Sequence, residues 1–579
     1  MKMERKKLVV YILIVLFVVL GVVNILNAMM YIYFVPDLKV LKVARTVNPV
    51  TMDPCDSWDN VSNNMLDQVV ETLIAYNLSD PTFPLIGRLA ESWYWSDNVS
   101  LTFKLRENVF FHDGSKFTAD CVLHSIERIN FFGNATGTLT DPHHMAAPHS
   151  LYKFADGTPI FNETLSFITA DLNVTLVLNR PFGPVEGLLT YTASSIVHPD
   201  STPVNEMLVL GEDLVVGTGP FKLVSYVPNW EVKFKRWDRY WDEPAYWNEI
   251  VYVYYEDAVN VNTAMLVGDI DYLGQGIAAL KEIFENSSNI TVTGDGVHDS
   301  INGSTYNYVL FKSEWINHTW RKAICHAFNY SYLIHNLLED TIVRAHSLVP
   351  PGFPAYNSSM LGGTYNIPYA RQLMQSMGYG YTGGVPWDIG SQIGDVFIPG
   401  ADENLWKAAE FIPNVGNFSD NLWNFYHRPG SYFLESLIQQ FEHDMDLIGI
   451  KVGPCFYSWG EWPIPQDFWE RIHLCWLSRY PDYFETFNRI DSLINPESSL
   501  DIHKIDNAEI NALLATTIAE TDTFKRYEYY EKLQYLIHDK YYYHMPLFYD
   551  KLYYVHAASL KGFPYNCMRN LYWYPTYRE

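Results

Sequence analysis

The chain has 579 residues, 48% hydrophobic and 18% charged, with 66 acidic against 40 basic side chains and a net charge of −26. That length implies more than one hydrophobic core. So acidic a balance argues against long-range attraction to nucleic acid or to an anionic membrane surface, and it reads instead as a solvated exterior.

At the N-terminus, Lys2, Arg5, Lys6 and Lys7 precede an apolar run from Leu8 to Val35, broken mainly by Asn24 and Asn27. About 20 such residues cross a bilayer core, whereas the apolar part of a cleavable signal is only about 7 to 15 long. Residues 1–7 therefore read as a cytoplasmic basic flank and 8–35 as a retained, single-pass transmembrane anchor. The positive-inside rule then places the rest of the chain outside the cell. Asn-x-Ser/Thr occurs thirteen times, where chance gives roughly four. Asn329 falls inside a predicted helix and is set aside. Asn60, Asn77, Asn98, Asn134, Asn162, Asn173, Asn286, Asn289, Asn302, Asn317, Asn357 and Asn417 remain as glycosylation candidates. An anchor with dense sequons suits an archaeal-type cell surface.

Further along, short β-branched or aromatic runs alternate with amphipathic segments, the pattern of mixed α/β lobes. His143, His144 and His149 cluster between prolines, which reads as a solvated loop, with a metal site as the sharper alternative. Val251–Tyr255 reads as a strand. Ile324, Ala327, Phe328 and Leu338 form the apolar stripe of a helix over 319–338. Glycine and proline crowd 378–413, where periodicity fades, and predict a long surface loop or insertion. Phe524, Tyr527, Tyr530, Leu533, Leu536 and Ile537 keep helical spacing behind Thr521-Asp522, a suitable cap. Six widely spaced cysteines show no zinc-like spacing. Cys455 and Cys475 sit in short apolar runs that read as neighbouring parallel strands, which makes them a candidate disulfide. G-x-S-x-G, H-E-x-x-H, P-loop and G-x-G-x-x-G signatures are all missing, so neither an enzyme nor a cofactor is expected.

Several short motifs stand in a fixed order. Met52-Asp53-Pro54, Leu89-Ala90-Glu91-Ser92-Trp93, Phe110-Phe111-His112-Asp113-Gly114 and Phe117-Thr118-Ala119-Asp120 come first. Gly217-Thr218-Gly219-Pro220-Phe221 with Tyr240-Trp241, Gly268-Asp269-Ile270-Asp271-Tyr272, the Trp476 to Asp482 loop and Pro546-Leu547-Phe548 follow. This series resembles the family 5 solute-binding proteins, the dipeptide- and oligopeptide-binding receptors of ABC importers. The resemblance implies a two-lobed, periplasmic-binding-protein-like α/β fold of type II with an extra subdomain. Residues 38–75, 203–305 and 544–579 would form the main part of the first lobe, 76–202 its smaller subdomain, and 306–543 the second lobe. It also implies a monomeric ectodomain that delivers peptides or another small solute to permease subunits whose ATPase is on separate chains.

In that family an Asp in a Trp-x-Ala/Gly-Asp loop pairs with the peptide's α-amino group. Here the stretch reads Trp476-Leu477-Ser478-Arg479-Tyr480-Pro481-Asp482, so Arg479 stands at the anchoring position. A guanidinium repels an ammonium and favours a carboxylate, a phosphate or an aromatic face. Three readings follow: Asp482 takes over the amine, the ligand is anionic or N-blocked, or it is uncharged. An internal Arg479–Asp482 pair is the bland alternative. Trp58, Asn60, Trp459, Trp476 and Tyr480 complete the candidate ligand-binding set, and their aromatic rings keep a saccharide ligand in play. A surface sensor or adhesion protein without transport would share every one of these features.

Overall fold

The computed structural model describes residues 38–579 except 81, 134–145, 155, 171, 276–280, 293–300, 415–417, 419–420, 428–431, 457–471 and 497–504. The flank 1–7, the anchor 8–35, Trp459, Asn134, Asn417, His143 and His144 lie outside the described residues, as does the side chain of His149. Among the described residues no helix is long and apolar enough to cross a membrane.

Three sheets organise the chain. The first has seven strands in the order Ile290–Val292, Tyr554–Ala557, Tyr272–Gln275, Val40–Arg45, Glu249–Tyr254, Glu231–Arg236 and Phe221–Val227. Val40–Arg45 runs parallel to both of its neighbours, and alternation sends its side chains to two covered faces. Leu41 and Val43 join Phe221, Phe234, Trp247 and Tyr252 on one face, while Ala44 meets Val261, Ala264 and Met265 on the other. The predicted strand at 251–255 is the parallel partner Glu249–Tyr254.

A four-stranded antiparallel sheet comprises Ala90–Trp95, Ser100–Leu105, Asn173–Val177 and Phe167–Ala170. Its buried Leu101, Phe103 and Leu176 share a core with Val122, Ile126 and Ile129 of the helix Ala119–Gly133. Each such side chain contributes about 1.5–3 kcal/mol by leaving water.

The third sheet has six strands, in the order Ile342–Arg344, His544–Leu552, Ile301–Phe311, Leu474–Arg479, Trp423–His427 and Val452–Phe456. Trp320, Ile324, Met374 and Phe441 fill the core on one side of it. Tyr306, Tyr308 and Tyr549 belong instead to the core that also contains Phe103 and Val185 of the four-stranded region. One buried cluster therefore joins two sheets that are far apart in sequence. The strand beginning at His544 lies in the six-stranded sheet, and Tyr553 alone separates it from Tyr554–Ala557 of the seven-stranded sheet.

Three expectations are corrected. The helix over 319–338 divides into His318–Ala327 and a second segment from Tyr330. Phe328 is extended between them with its ring 5.8 Å from Phe441, and Asn329 caps the second segment by accepting the Tyr332 N–H at 2.9 Å. The 378–413 region is folded: two hairpins, Tyr381–Thr382 with Val385–Pro386 and Ser391–Ile393 with Val396–Ile398, precede the helix Glu403–Ala408. Gly383 and Gly384, at φ +59° and +83°, supply the two left-handed residues that a tight hairpin turn requires. Fully buried Trp406 packs edge-on to Trp387 at 5.3 Å, and Arg371 ties Glu403 down at 2.8 Å. Aromatic anchoring thus replaces the periodicity that the sequence lacks. Finally, Cys455 and Cys475 each pair with Tyr426 from opposite sides of the strand Trp423–His427. Two strand spacings, roughly 9.5 Å, exceed the roughly 7 Å reach of a disulfide, and all six cysteines are free thiols.

Candidate functional site

The site is built from the turn that follows Val40–Arg45. Asp53 is fully buried and forms a two-pronged pair with Arg128: Nη1 donates to Oδ1 at 2.9 Å and Nη2 to Oδ2 at 2.6 Å. The backbone N–H groups of Cys55 and Leu208 also donate to this carboxylate. Every lone-pair direction is engaged, which is what makes a buried charge tolerable. Asp59 then caps the helix Asn60–Leu66 by accepting the Ser62 N–H at 2.9 Å. Between these two anchors, Trp58 is turned toward the loop that follows the strand Leu474–Arg479.

There the indole Nε1 of Trp58 donates to Oδ1 of Asp482 at 2.5 Å. Asn488 donates to Oδ2 of the same carboxylate at 2.9 Å and accepts the Asp482 N–H at 2.8 Å. Arg479 completes the group with Nη2 3.4 Å from Asp482 Oδ2. The internal pair is thus present, and Asp482 is already shared among three donors. Behind Arg479 lies Arg489, fully buried, donating through Nη1 to the Arg479 carbonyl. Burial, reinforced by the Arg479 charge, pushes its guanidinium pKa down to about 9. Tyr480 closes the seam by donating its hydroxyl to the Met568 carbonyl. Nearby rings interlock across the sheets, Tyr76 and Phe83 on Phe484 at 5.0 and 4.8 Å and Phe182 on Phe487 at 5.3 Å.

Gly217-Thr218-Gly219-Pro220-Phe221 and Tyr240-Trp241 converge on one buried carboxylate. Glu71 accepts from the hydroxyls of Thr218 at 3.0 Å and Tyr240 at 2.7 Å and from the Trp241 indole at 2.9 Å. Burial raises its pKa against these contacts and against Arg88, whose Nη1 is 3.9 Å away. A Cβ at Gly217 would lie 2.0 Å from the Val69 carbonyl oxygen, so glycine there permits the close approach that delivers Thr218. With Asp67 and Asp482, Glu71 borders a small cavity of about 110 Å³. Burial pushes the Asp67 carboxyl pKa up to about 6, opposed by a hydrogen bond from Thr192.

Two larger spaces flank Tyr553, where the chain passes from the six-stranded to the seven-stranded sheet. The first, about 680 Å³, opens at the carboxyl end of Val40–Arg45, the end at which open α/β sheets bind ligands. Arg45, Asn60, Asn262, Tyr272 and Tyr554 meet Thr305, Tyr480, Asp550 and Tyr553 around it. The second, a shallower groove of about 420 Å³, is lined by Trp476, Asn307, Phe433 and Phe548, and shares Asp550, Tyr553 and Arg569 with the first. Arg569 Nη2 lies 3.0 Å from Asp550 Oδ2, so an ion pair stands at the join of the two spaces.

The sequence-derived residues are therefore divided. Asn60 and Tyr480 line the large cavity, Trp476 the groove and Asp482 the small cavity, while Trp58 and Arg479 are held on Asp482. Asn60 is also a glycosylation candidate, and a glycan at this wall would occupy ligand space. Asp67, Asp550, Arg569 and Arg45 escaped the sequence reading. Asp550 alone had a signal, standing two residues beyond Phe548 of a recognised motif on the same strand and hence on the same face. Among the described residues no group of three or more His, Cys, Asp or Glu is placed to hold a metal ion.

This fold and cleft are those of a two-lobed binding protein. Residues 84–498 match the family described as bacterial extracellular solute-binding proteins, family 5 middle, and the chain belongs to that family. It is 24% identical over 513 residues to the dipeptide-binding protein of Escherichia coli (strain K12), covering 85% of each chain. HbpA2 from Haemophilus parasuis superposes with a TM-score of 0.72 at 17% identity, over 93% of this chain and all of that one. DppA from Helicobacter pylori, solved in complex with the peptide STSA, does so with a TM-score of 0.68 at 20% identity, over 93% and 98%. The chain is therefore a solute-binding protein of mixed α/β architecture.

Proposed function

We propose that this protein is the extracytoplasmic receptor of an ABC importer, that it holds peptides between its lobes without altering them, and that it delivers them to permease subunits powered by separate ATPase chains. The observation that carries this reading is the cavity of about 680 Å³ walled by both large sheets, within the roughly 300–1,000 Å³ span of small-molecule sites. Solute binding in this geometry favours the closed arrangement, because a bound solute adds contacts to both walls at once. The dipeptide-binding protein of Escherichia coli and the STSA complex of the Helicobacter pylori protein support a peptide. So does the fixed charge of Arg45 on the cavity wall, which suits a solute with a charged end better than a neutral saccharide.

Residues 38–75, 203–305 and 544–579 with subdomain 76–202 make the first lobe in this reading, and 306–543 the second. Residues 8–35 anchor a monomeric ectodomain to the outside of the membrane. Asn98, Asn286, Asn289 and Asn317 are exposed, and Asn77, Asn162, Asn173 and Asn357 half-buried, so glycans on them are sterically admissible.

Native mass spectrometry of the full chain, extracted from its own host in detergent, tests the proposal. A co-purified peptide is the expected result; a saccharide adduct, or turnover of the solute, overturns it. Unchanged peptide uptake after deletion of the gene would reassign the protein to sensing or adhesion.

A further inference from the structure

The wall that the seven-stranded sheet gives to the cavity of about 680 Å³ contains a charge with no ion-pair partner among the described residues. Arg45 ends the central strand and borders the cavity, yet no carboxylate lies within ion-pair distance of it among the described residues. Its Nε and Nη2 are buried without a hydrogen-bond acceptor among the described residues, and Tyr252 meets the guanidinium through a side-chain hydrogen bond and through its ring, 5.3 Å from the guanidinium carbon. The other cation bordering the cavity, Arg569, is neutralised by Asp550 at 3.0 Å. Asn262, on the helix Ala258–Val267, is 8% exposed, borders the same cavity and makes no side-chain hydrogen bond to another described residue. A buried amide and a guanidinium edge left unpaired each carry a desolvation penalty that a suitable acceptor removes.

We propose that Arg45 and Asn262 form a subsite for a carboxylate of the bound solute, Arg45 contributing paired N–H donors and Asn262 its amide. The inference rests on the peptide-receptor reading and adds to it the class of end group that this wall takes. Two N–H groups on one edge of a guanidinium match the spacing of carboxylate oxygens, and Arg is suited to such planar recognition. Discrimination arises because an amide or ester end group leaves the cation unpaired. The carboxylate can be the peptide's C-terminus or an acidic side chain.

The test uses the full-length protein and three random tetrapeptide pools: free acids lacking Asp and Glu, C-terminal amides lacking them, and C-terminal amides containing them. Preference for a carboxylate-bearing pool by roughly tenfold or more is expected, the size of one charge-assisted hydrogen-bond set. Enrichment from the first pool assigns the C-terminus, and from the third a side chain. R45Q abolishes that preference, and N262D reverses it by placing a second carboxylate in the wall. N262D also serves if R45Q fails to fold. Equal binding of acids and uncharged amides by the unaltered protein overturns this inference and leaves the peptide reading intact, as does a preference that survives both substitutions. Failure of all three pools to bind overturns both.

Discussion

The seam at Asp482 and the cavity wall at Arg45 use the same side-chain types to opposite effect. At the seam, Asp482 is shared by Trp58, Asn488 and Arg479. At the wall, Arg45 has two nitrogens without acceptors, and Asn262 makes no side-chain bond, among the described residues. Buried polar groups cost least when fully paired. Arg479 Nε and the Nε and Nη2 of Arg489 also find no acceptor among the described residues, so what sets Arg45 apart is that its unpaired edge belongs to a side chain bordering a cavity large enough for a solute. The comparison also relocates the functional question. Arg479, conspicuous in sequence, is paired within its own loop, whereas Arg45 lies in no recognised motif.

The most severe break in the satisfied class is Asp53→Ala. It strands Arg128, 1% exposed, and the loss of one partner of a buried ion pair costs about 3–5 kcal/mol. A large drop in the urea or thermal midpoint is expected; an unchanged midpoint would refute the view that this pair anchors the turn before Trp58.

Asp444 sharpens the contrast from the other side, since it is buried with hydrogen bonds from the Asn329 N–H and Gln440 but with no cation in ion-pair distance among the described residues. Burial raises its pKa from 3.8 to about 7. Between pH 4 and 7 the folded state therefore keeps a proton that the unfolded state has released, and stability falls as pH rises through that window. Asp444→Asn removes this slope, an effect of about 2–4 kcal/mol across the window. Melts at pH 4.5 and 7.5 check it, and an equally steep slope in the variant contradicts the assignment.

Gly183→Ala tests whether the segment before the helix Val185–Leu188 must approach the end of the helix Ala508–Ala519 as closely as it does. The Gly183 N–H donates to the Ile518 carbonyl at 2.9 Å, and an added Cβ would lie 1.9 Å from the Glu520 carbonyl oxygen. Overpacking of this kind costs about 1–3 kcal/mol. The closed arrangement should yield first, seen as a larger radius of gyration in small-angle scattering and weaker solute binding. A compact variant with full affinity would show that closure does not depend on this contact. Smallest is Trp58→Phe, which removes one donor from Asp482 at about 1 kcal/mol. A faster rate of solute release in stopped-flow measurements is expected, and an unaltered rate would show that this hydrogen bond does not limit opening.

The motifs legible in the sequence proved to be supports. Asp53 is met by an arginine 75 residues away, and Thr218, Tyr240 and Trp241 meet Glu71 across 147 to 170 residues. Each motif was readable because a local shape, a turn or a close glycine approach, constrains consecutive residues. Its partner was not readable, because hydrogen bonds between distant segments leave no spacing in the chain. The disulfide expectation failed similarly: Cys455 and Cys475 do lie on parallel-running strands, but Trp423–His427 is inserted between them.

What the sequence determined by itself was the family, the mixed α/β class and many elements whose periodicity or caps are local, such as Thr523–Tyr535 behind Asp522. Only the tertiary structure decided which charges are spent on each other and which border a cavity. Local pattern follows from backbone geometry and adjacent side chains, whereas pairing and desolvation depend on what the folded chain brings within about 3 Å, and chain order does not encode that distance.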